Sequence, residues 1–229
     1  VDAHSQIGDE FDDLDQVIAL MDAAGVARTV LSVRRGLDPG DLLSFAARHP
    51  QRIVPAVQVK GRDYRRNREE FYDHIAAQLA EPAFAALAEV HIYHAAKAGG
   101  RKGSQFVVPP DDRRVAFLLD HARARGWPFI FHFEARKAGR HRAPFLAGME
   151  GLMAAHRDHA FAFIHLAQME ADEVRRLLAE HANLHFLTSH ANPYAREVSG
   201  QPWTMMFDGE RLKPEWERLM RDHPDRFVF

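Results

Sequence analysis

Four apolar, strand-forming runs in this chain stop at or just past a histidine. They are Val1-Asp2-Ala3-His4-Ser5-Gln6, Glu89-Val90-His91-Ile92-Tyr93-His94, Phe129-Ile130-Phe131-His132-Phe133-Glu134 and Phe161-Ala162-Phe163-Ile164-His165. Histidine is the commonest metal ligand and the side chain that exchanges protons near neutral pH. A single strand histidine is most often a hydrogen-bonded core or rim residue. Several at matching strand ends are different, because buried imidazoles and carboxylates must find partners that a metal ion or a polar substrate can supply.

The elements that must position them alternate along the chain. Strand-like residues 1–7, 27–34, 53–60, 87–95, 128–134, 161–167, 184–189 and 226–229 are separated by helical patterns. Leu14, Val17, Ile18 and Met21 have helical spacing, and Gly25 closes that helix. Asn67 is placed to cap a helix over 67–79, and Asp111 or Asp112 caps the helix that runs to Arg125. Residues 191–211 read as a long irregular stretch. Eight strands with helices between them predict one parallel (β/α)8 TIM barrel spanning 1–229, with functional residues at the strand C-terminal ends. No Gly-x-Gly-x-x-Gly follows the first strand, and Gly99, Gly100 and Gly103 lack phosphate-loop spacing.

Alternation along each strand selects the inward side chains. His4 shares a face with Gln6, Glu89 and His91 with Tyr93, and His132 with Glu134, while His165 lies on the face of Phe163. Ser189 ends the seventh strand and His190 follows it. Arg34, Lys97, Arg101, Arg136, Lys137 and Arg142 follow strands two, four and five, where basic groups suit a carboxylate-bearing substrate. Arg34, His91, Tyr93, Glu134, Arg136, Ser189 and His190 are therefore the candidate substrate contacts. His49, His156, His159, His181 and His223 sit near helix ends, where solvation or the helix dipole accounts for them.

Composition narrows the classes. The chain has 229 residues, 46% hydrophobic, with net charge −2, so no global basic field invites nucleic acid or an anionic membrane. Cysteine is absent, which removes disulfides and thiolate ligands and fits the cytoplasm. No apolar run reaches the roughly 18 residues of a membrane span. Val1 and Phe229 both fall inside strand-like runs, so residues are expected beyond both ends. Tyr194, Trp203, Met205, Met206 and Phe207 put apolar surface on the stretch 191–211, as a lid or a homo-oligomer contact would.

Asp2-Ala3-His4-Ser5-Gln6 resembles the opening Asp-x-His-x-His of the amidohydrolase superfamily, in its single-metal TIM-barrel branch of decarboxylases and dicarboxylate lactonases. Ala23 to Val30 is similar to that branch's first helix-to-strand turn. Phe129 to Glu134 resembles its strand-five histidine segment, and His165-Leu166-Ala167 its strand-six His-Leu-Gly. Asp222 to Phe229 resembles the stretch leading into its strand-eight aspartate. The resemblance implies that His4, Gln6 and His132 bind one divalent ion, zinc in the first instance, and that His165 holds substrate or moves a proton. Two departures stand out. Position 6 is Gln, a poorer partner than imidazole for zinc-like ions, and the sequence stops where the strand-eight aspartate would follow.

The expectation is a metal-dependent hydrolase of a small carboxylated ester, lactone or amide. A non-oxidative decarboxylase on the same scaffold is the first alternative. A barrel that has lost its metal site and catalysis is the second, and Gln6 is the residue that favours it.

Overall fold

The structure is a computed structural model that describes residues 1–11, 13–34, 36–96 and 105–228. It divides into two compact units, Val1–Glu89 and Val90–Phe229.

In the first unit, β-branched runs make a sheet of four parallel strands in the order β1-β2-β3-β4. Its elements are β1 (Asp2–Ile7), α1 (Asp15–Ala23), β2 (Thr29–Val33), α2 (Pro39–Arg48), β3 (Ile53–Val57), α3 (Arg62–Arg66), α4 (Glu69–Leu79) and β4 (Ala86–Leu87). Leu31, Val33, Leu42, Phe45, Val57 and Ile75 form its core, each at most 1% exposed. Asp38 starts α2: its side chain accepts from the Gly40 N–H, and Pro39 supplies a fixed helical φ at the first turn. Asn67 plays another part than the expected cap of a 67–79 helix. It ends α3 in the left-handed conformation (φ 50), which Asn tolerates better than most residues, and α4 starts at Glu69.

The second unit is built on aromatic strands. Its elements are β5 (Val90–His94), β6 (Phe106–Val107), α5 (Arg113–Arg125), β7 (Phe129–Phe133), α6 (Arg142–Ala155), β8 (Phe161–Phe163), α7 (Ala171–Glu180), β9 (Leu184–Leu187), α8 (Pro193–Ser199), β10 (Phe207–Asp208), β11 (Arg211–Leu212), α9 (Pro214–Asp222) and β12 (Phe227–Val228). The sheet order is β12-β9-β8-β7-β5-β6. All its pairs are parallel except β5 with β6. Phe129, Phe131, Phe133, Phe161, Phe163 and Phe186 are at most 1% exposed, and Phe131 stacks on Phe161 at 5.6 Å. Two apolar faces are what helix-covered parallel sheets require.

The parallel α/β alternation is as expected, with four differences. No closed ring of strand pairs occurs among the described residues: the ladders stop at β4 and β12, each two residues long. The strand expected over 87–95 is two strands, β4 paired to β3 and β5 paired to β7. The strand expected over 161–167 ends at Phe163, where the backbone turns left-handed. The stretch 191–211 contains α8, capped by Asn192 at the Ala195 N–H, and the antiparallel pair β10–β11. Lys97, Arg101, the Gly99–Gly100–Gly103 cluster and Phe229 lie outside the described residues. No helix among the described residues is long and apolar enough to cross a membrane.

Candidate active site

In the first unit, β1 brings His4 and Gln6 to one buried carboxylate. Gln6 Nε2 donates to Glu89 Oε1 at 3.0 Å, and Lys60 Nζ lies 3.2 Å from the same oxygen. Gln6 Nε2 also faces His4 Nε2 at 3.1 Å. An amide nitrogen only donates, so His4 Nε2 is the acceptor and its ring proton sits on Nδ1. Flipping the amide would set its oxygen against the Glu89 carboxylate, so this orientation is fixed by charge. Gln6 thus spends its NH2 on Glu89 and His4. Asp2 is structural: its carboxylate accepts from Ser5 Oγ, Thr29 Oγ1 and the His4 N–H. Lys60, one step past the third strand's apolar run, was not singled out by sequence.

In the second unit, β7 carries His132, and Glu134 follows directly after the strand, two residues on. His132 Nε2 is 3.2 Å from Glu134 Oε1, and both residues are at least 96% buried. Strand β5 adds His91, whose ring meets His132 edge-on at 4.6 Å. It also adds His94, stacked on His132 at 5.1 Å with Nε2 3.9 Å from Glu134 Oε1. Strict alternation would separate His91 from His94. The β5–β7 register slips between His91 and Tyr93, and that irregularity swings His94 to the site. His94 was therefore missed from sequence, although its run visibly ended on it.

Burial by itself would raise the Glu134 pKa. The hydrogen bond and charge of His132, the charge of His94 and the Ala95 N–H (2.7 Å) outweigh it and hold the carboxyl below its ordinary value. A buried group held ionised invites a cation. Ligand atoms of His94, His132 and Glu134 all lie within 4.8 Å of one another. Two imidazoles and one carboxylate form a donor set suited to zinc-like ions, and one that leaves coordination positions open. These residues fit the divalent ion that the resemblance implies.

Beyond β8 the chain enters an unusual turn. His165, Leu166, Ala167 and Gln168 have φ of 57, 51, 50 and 58. Left-handed backbone costs on the order of 1–2 kcal/mol for each non-glycine residue, so the turn must be held. Leu166, Ala167 and Gln168 are at most 1% exposed, Ala135 N donates to Ala167 O, and Arg136 Nε donates to Gln168 O at 2.9 Å. The turn sets the His165 ring edge-on to His132 at 5.3 Å. His165 Nδ1 is 2.9 Å from Ser189 Oγ and 2.8 Å from His190 Nδ1. Trp203 lies 4.9 Å from both rings and stacks on His190. His165 Nδ1 is therefore the ring nitrogen that faces Ser189 and His190.

The other expected substrate contacts are already committed. Arg34 pairs with Glu10, and Arg136 pairs with Glu170 while bracing the turn. Arg142 pairs with Glu173. Tyr93 donates its hydroxyl to Lys137 O at 2.8 Å and accepts from Gln105 Nε2. Burial, then the nearby Glu134 charge, raises its pKa.

No protein-family model and no curated protein matches the sequence. Solved structures do match the fold. A probable 2-pyrone-4,6-dicarboxylic acid hydrolase from Acinetobacter baumannii, with citric acid bound, is 9% identical with a TM-score of 0.50, covering 99% of this chain and 81% of its own. An uncharacterized TIM-barrel protein from Bordetella bronchiseptica is 16% identical with a TM-score of 0.52, covering 93% and 82%. A 2,6-dihydroxybenzoate decarboxylase complexed with 2,6-dihydroxybenzoate is 13% identical with a TM-score of 0.50, covering 92% and 89%. At these identities the likeness is one of fold, and that fold is the α/β architecture of TIM-barrel proteins.

Proposed function

We propose that the protein is a metal-dependent enzyme of the amidohydrolase type, hydrolysing a small carboxylated ester, lactone or amide. The observation that carries this reading is the His94–His132–Glu134 cluster at the ends of β5 and β7, with His132 and Glu134 buried and His94 half-buried. His94, His132 and Glu134 would hold one divalent ion. When bound, such an ion lowers the pKa of water toward ~7 and polarises a carbonyl.

The remaining chemistry belongs to the chain. His165, with Nδ1 engaged by Ser189 and His190, takes or gives a proton at Nε2. Trp203 packs against the two imidazoles and holds their planes in place. With an ion bound, His132 Nε2 would give up its proton and its contact with Glu134 Oε1, and both atoms would face the ion instead. In the first unit, Lys60 balances the buried Glu89 charge. Arg34 and Arg136 pair with Glu10 and Glu170 and keep further N–H donors for a substrate carboxylate.

The test is to load stripped protein with Zn, Mn or Co and assay a panel of aromatic and unsaturated di-acids and lactones. Metal-dependent release of acid without carbon dioxide supports the hydrolase. Release of carbon dioxide instead assigns the decarboxylase alternative. Absence of both metal uptake and turnover across the panel would leave the barrel without a catalytic role.

A further inference from the structure

The first unit contains a cavity of about 440 Å³ just past β3, a volume in the range of small-molecule sites. Tyr64 and Phe71 line it, at 1% and 2% exposure, with their rings 5.2 Å apart. Gln58, Lys60, Arg62, Asp63 and His74 give it a polar, charged rim.

The rim is a built structure. Gln78, 5% exposed, clamps the backbone of Gln58 from both sides: its Oε1 accepts from the Gln58 N–H at 2.8 Å and its Nε2 donates to Gln58 O at 3.2 Å. The Gln58 side chain donates to Val33 O, so its own Oε1 accepts from His74 Nε2 at 3.3 Å. These bonds fix the edge of the cavity before any ligand arrives.

Among the charged residues that line it, Lys60 pairs with Glu89 at 3.2 Å and Asp63 with Arg68 at 3.5 Å. Arg62 and Arg66 make no ion pair among the described residues. They sit four residues apart on α3, where like charges repel across one helical turn. Arg62 is the largest influence lowering the Arg66 pKa, ahead of Arg68 and Arg65. A short helix that holds cations in mutual repulsion, beside a cavity with aromatic walls, is relieved by an anion.

We propose that this cavity binds a small aromatic oxyanion, a single ring bearing a carboxylate or a phosphoryl group. The ring packs against Tyr64 and Phe71, and the charged group meets Arg62 with His74 and Lys60 at the rim. Lys60 joins this site to the Glu89–Gln6–His4 cluster, because its ammonium also binds Glu89. The proposal does not depend on the metal or on catalysis.

The experiment is calorimetric titration of metal-stripped protein with phenyl phosphate, benzoate and inorganic phosphate, repeated on R62E, R66E and H132A. Arg62 and Arg66 are exposed, so both charge reversals should fold, and circular dichroism checks that they do. At least one aromatic anion should bind wild type, weaken roughly tenfold or more in R62E, about 1.4 kcal/mol, weaken less in R66E, whose residue is not in the lining, and stay unchanged in H132A. The tighter of phenyl phosphate and benzoate then names the oxyanion. The proposal is overturned by any of three results: no aromatic anion binds at millimolar concentration, binding survives R62E unchanged, or inorganic phosphate binds as tightly as phenyl phosphate. Binding lost in H132A but kept in R62E would place the ligand on the histidine cluster, and also overturns it.

Discussion

His132 Nε2 on β7 and Glu134 Oε1, on the residue that follows the strand, lie 3.2 Å apart with both side chains buried. The Ala95 N–H fixes the second carboxylate oxygen, so Glu134 is held at both ends. Buried charge of this kind is costly unless compensated, and two neighbouring imidazoles are positioned to share a cation with it.

His132→Ala should therefore lose bound metal and turnover together. Glu134→Gln, which keeps shape and gives up charge, should weaken metal binding while the protein stays folded. Inductively coupled plasma mass spectrometry after dialysis reads both. Full metal occupancy in His132→Ala would remove this histidine from the ligand set.

His165→Asn should keep the metal and lose turnover by roughly 10²–10⁴, the usual worth of general acid–base catalysis. Its ring touches His132 but contributes no atom to the three-ligand cluster. The reverse pattern, metal lost in His165→Asn and kept in His132→Ala, would exchange the two roles.

The parallel alternation was legible because β-branched and aromatic runs were separated by clear helix signals, and β2, β3, β7 and β9 fall inside their expected ranges. His132 and Glu134 were legible because β7 keeps strict alternation. His94 was not, because a register slip is a property of two paired strands and leaves no mark on one. The turn at His165 was hidden for a related reason. Nothing in Ile164-His165-Leu166-Ala167-Gln168 favours left-handed backbone, and contacts from Ala135 and Arg136, distant in sequence from β8, impose it. Asn67 carried a polar cap signal that fits either end of a helix, and the backbone used it to stop α3.

Stability should fall as the pH drops below about 6.5. Burial, then the nearby Arg226, lowers the His185 pKa from its ordinary 6.5, and burial likewise lowers His159. Above 6.5 both folded and unfolded forms are neutral and the full stability is present. Below it the unfolded chain takes up protons that the folded chain refuses, so stability is lost as pH falls toward the folded values. Chemical denaturation at pH 7.5, 6.5 and 5.5 measures this. His185→Gln should flatten the profile, and an unchanged slope would clear His185 of the effect.

Two substitutions around the left-handed turn should act in opposite directions. Arg136→Gln removes the Nε–H bond to Gln168 O and the pair with Glu170. A hydrogen bond from a charged group is worth roughly 1.5–3 kcal/mol when buried. The Arg136 side chain is 33% exposed, which puts the expected loss near the low end of that range. Gln168 carries two costs of its own: φ of 58, and a buried amide whose Nε2 and Oε1 have no hydrogen-bond partner among the described residues. Gln168→Gly removes both and leaves the carbonyl that Arg136 binds, at the expense of a small cavity. Thermal unfolding should show Arg136→Gln less stable than wild type and Gln168→Gly equal or more stable. Because His165 opens the same turn, Arg136→Gln should also lower kcat with metal content intact. If Arg136→Gln melts with wild type and Gln168→Gly unfolds earlier, the turn is held by its apolar burial and the guanidinium is a surface ornament of Glu170.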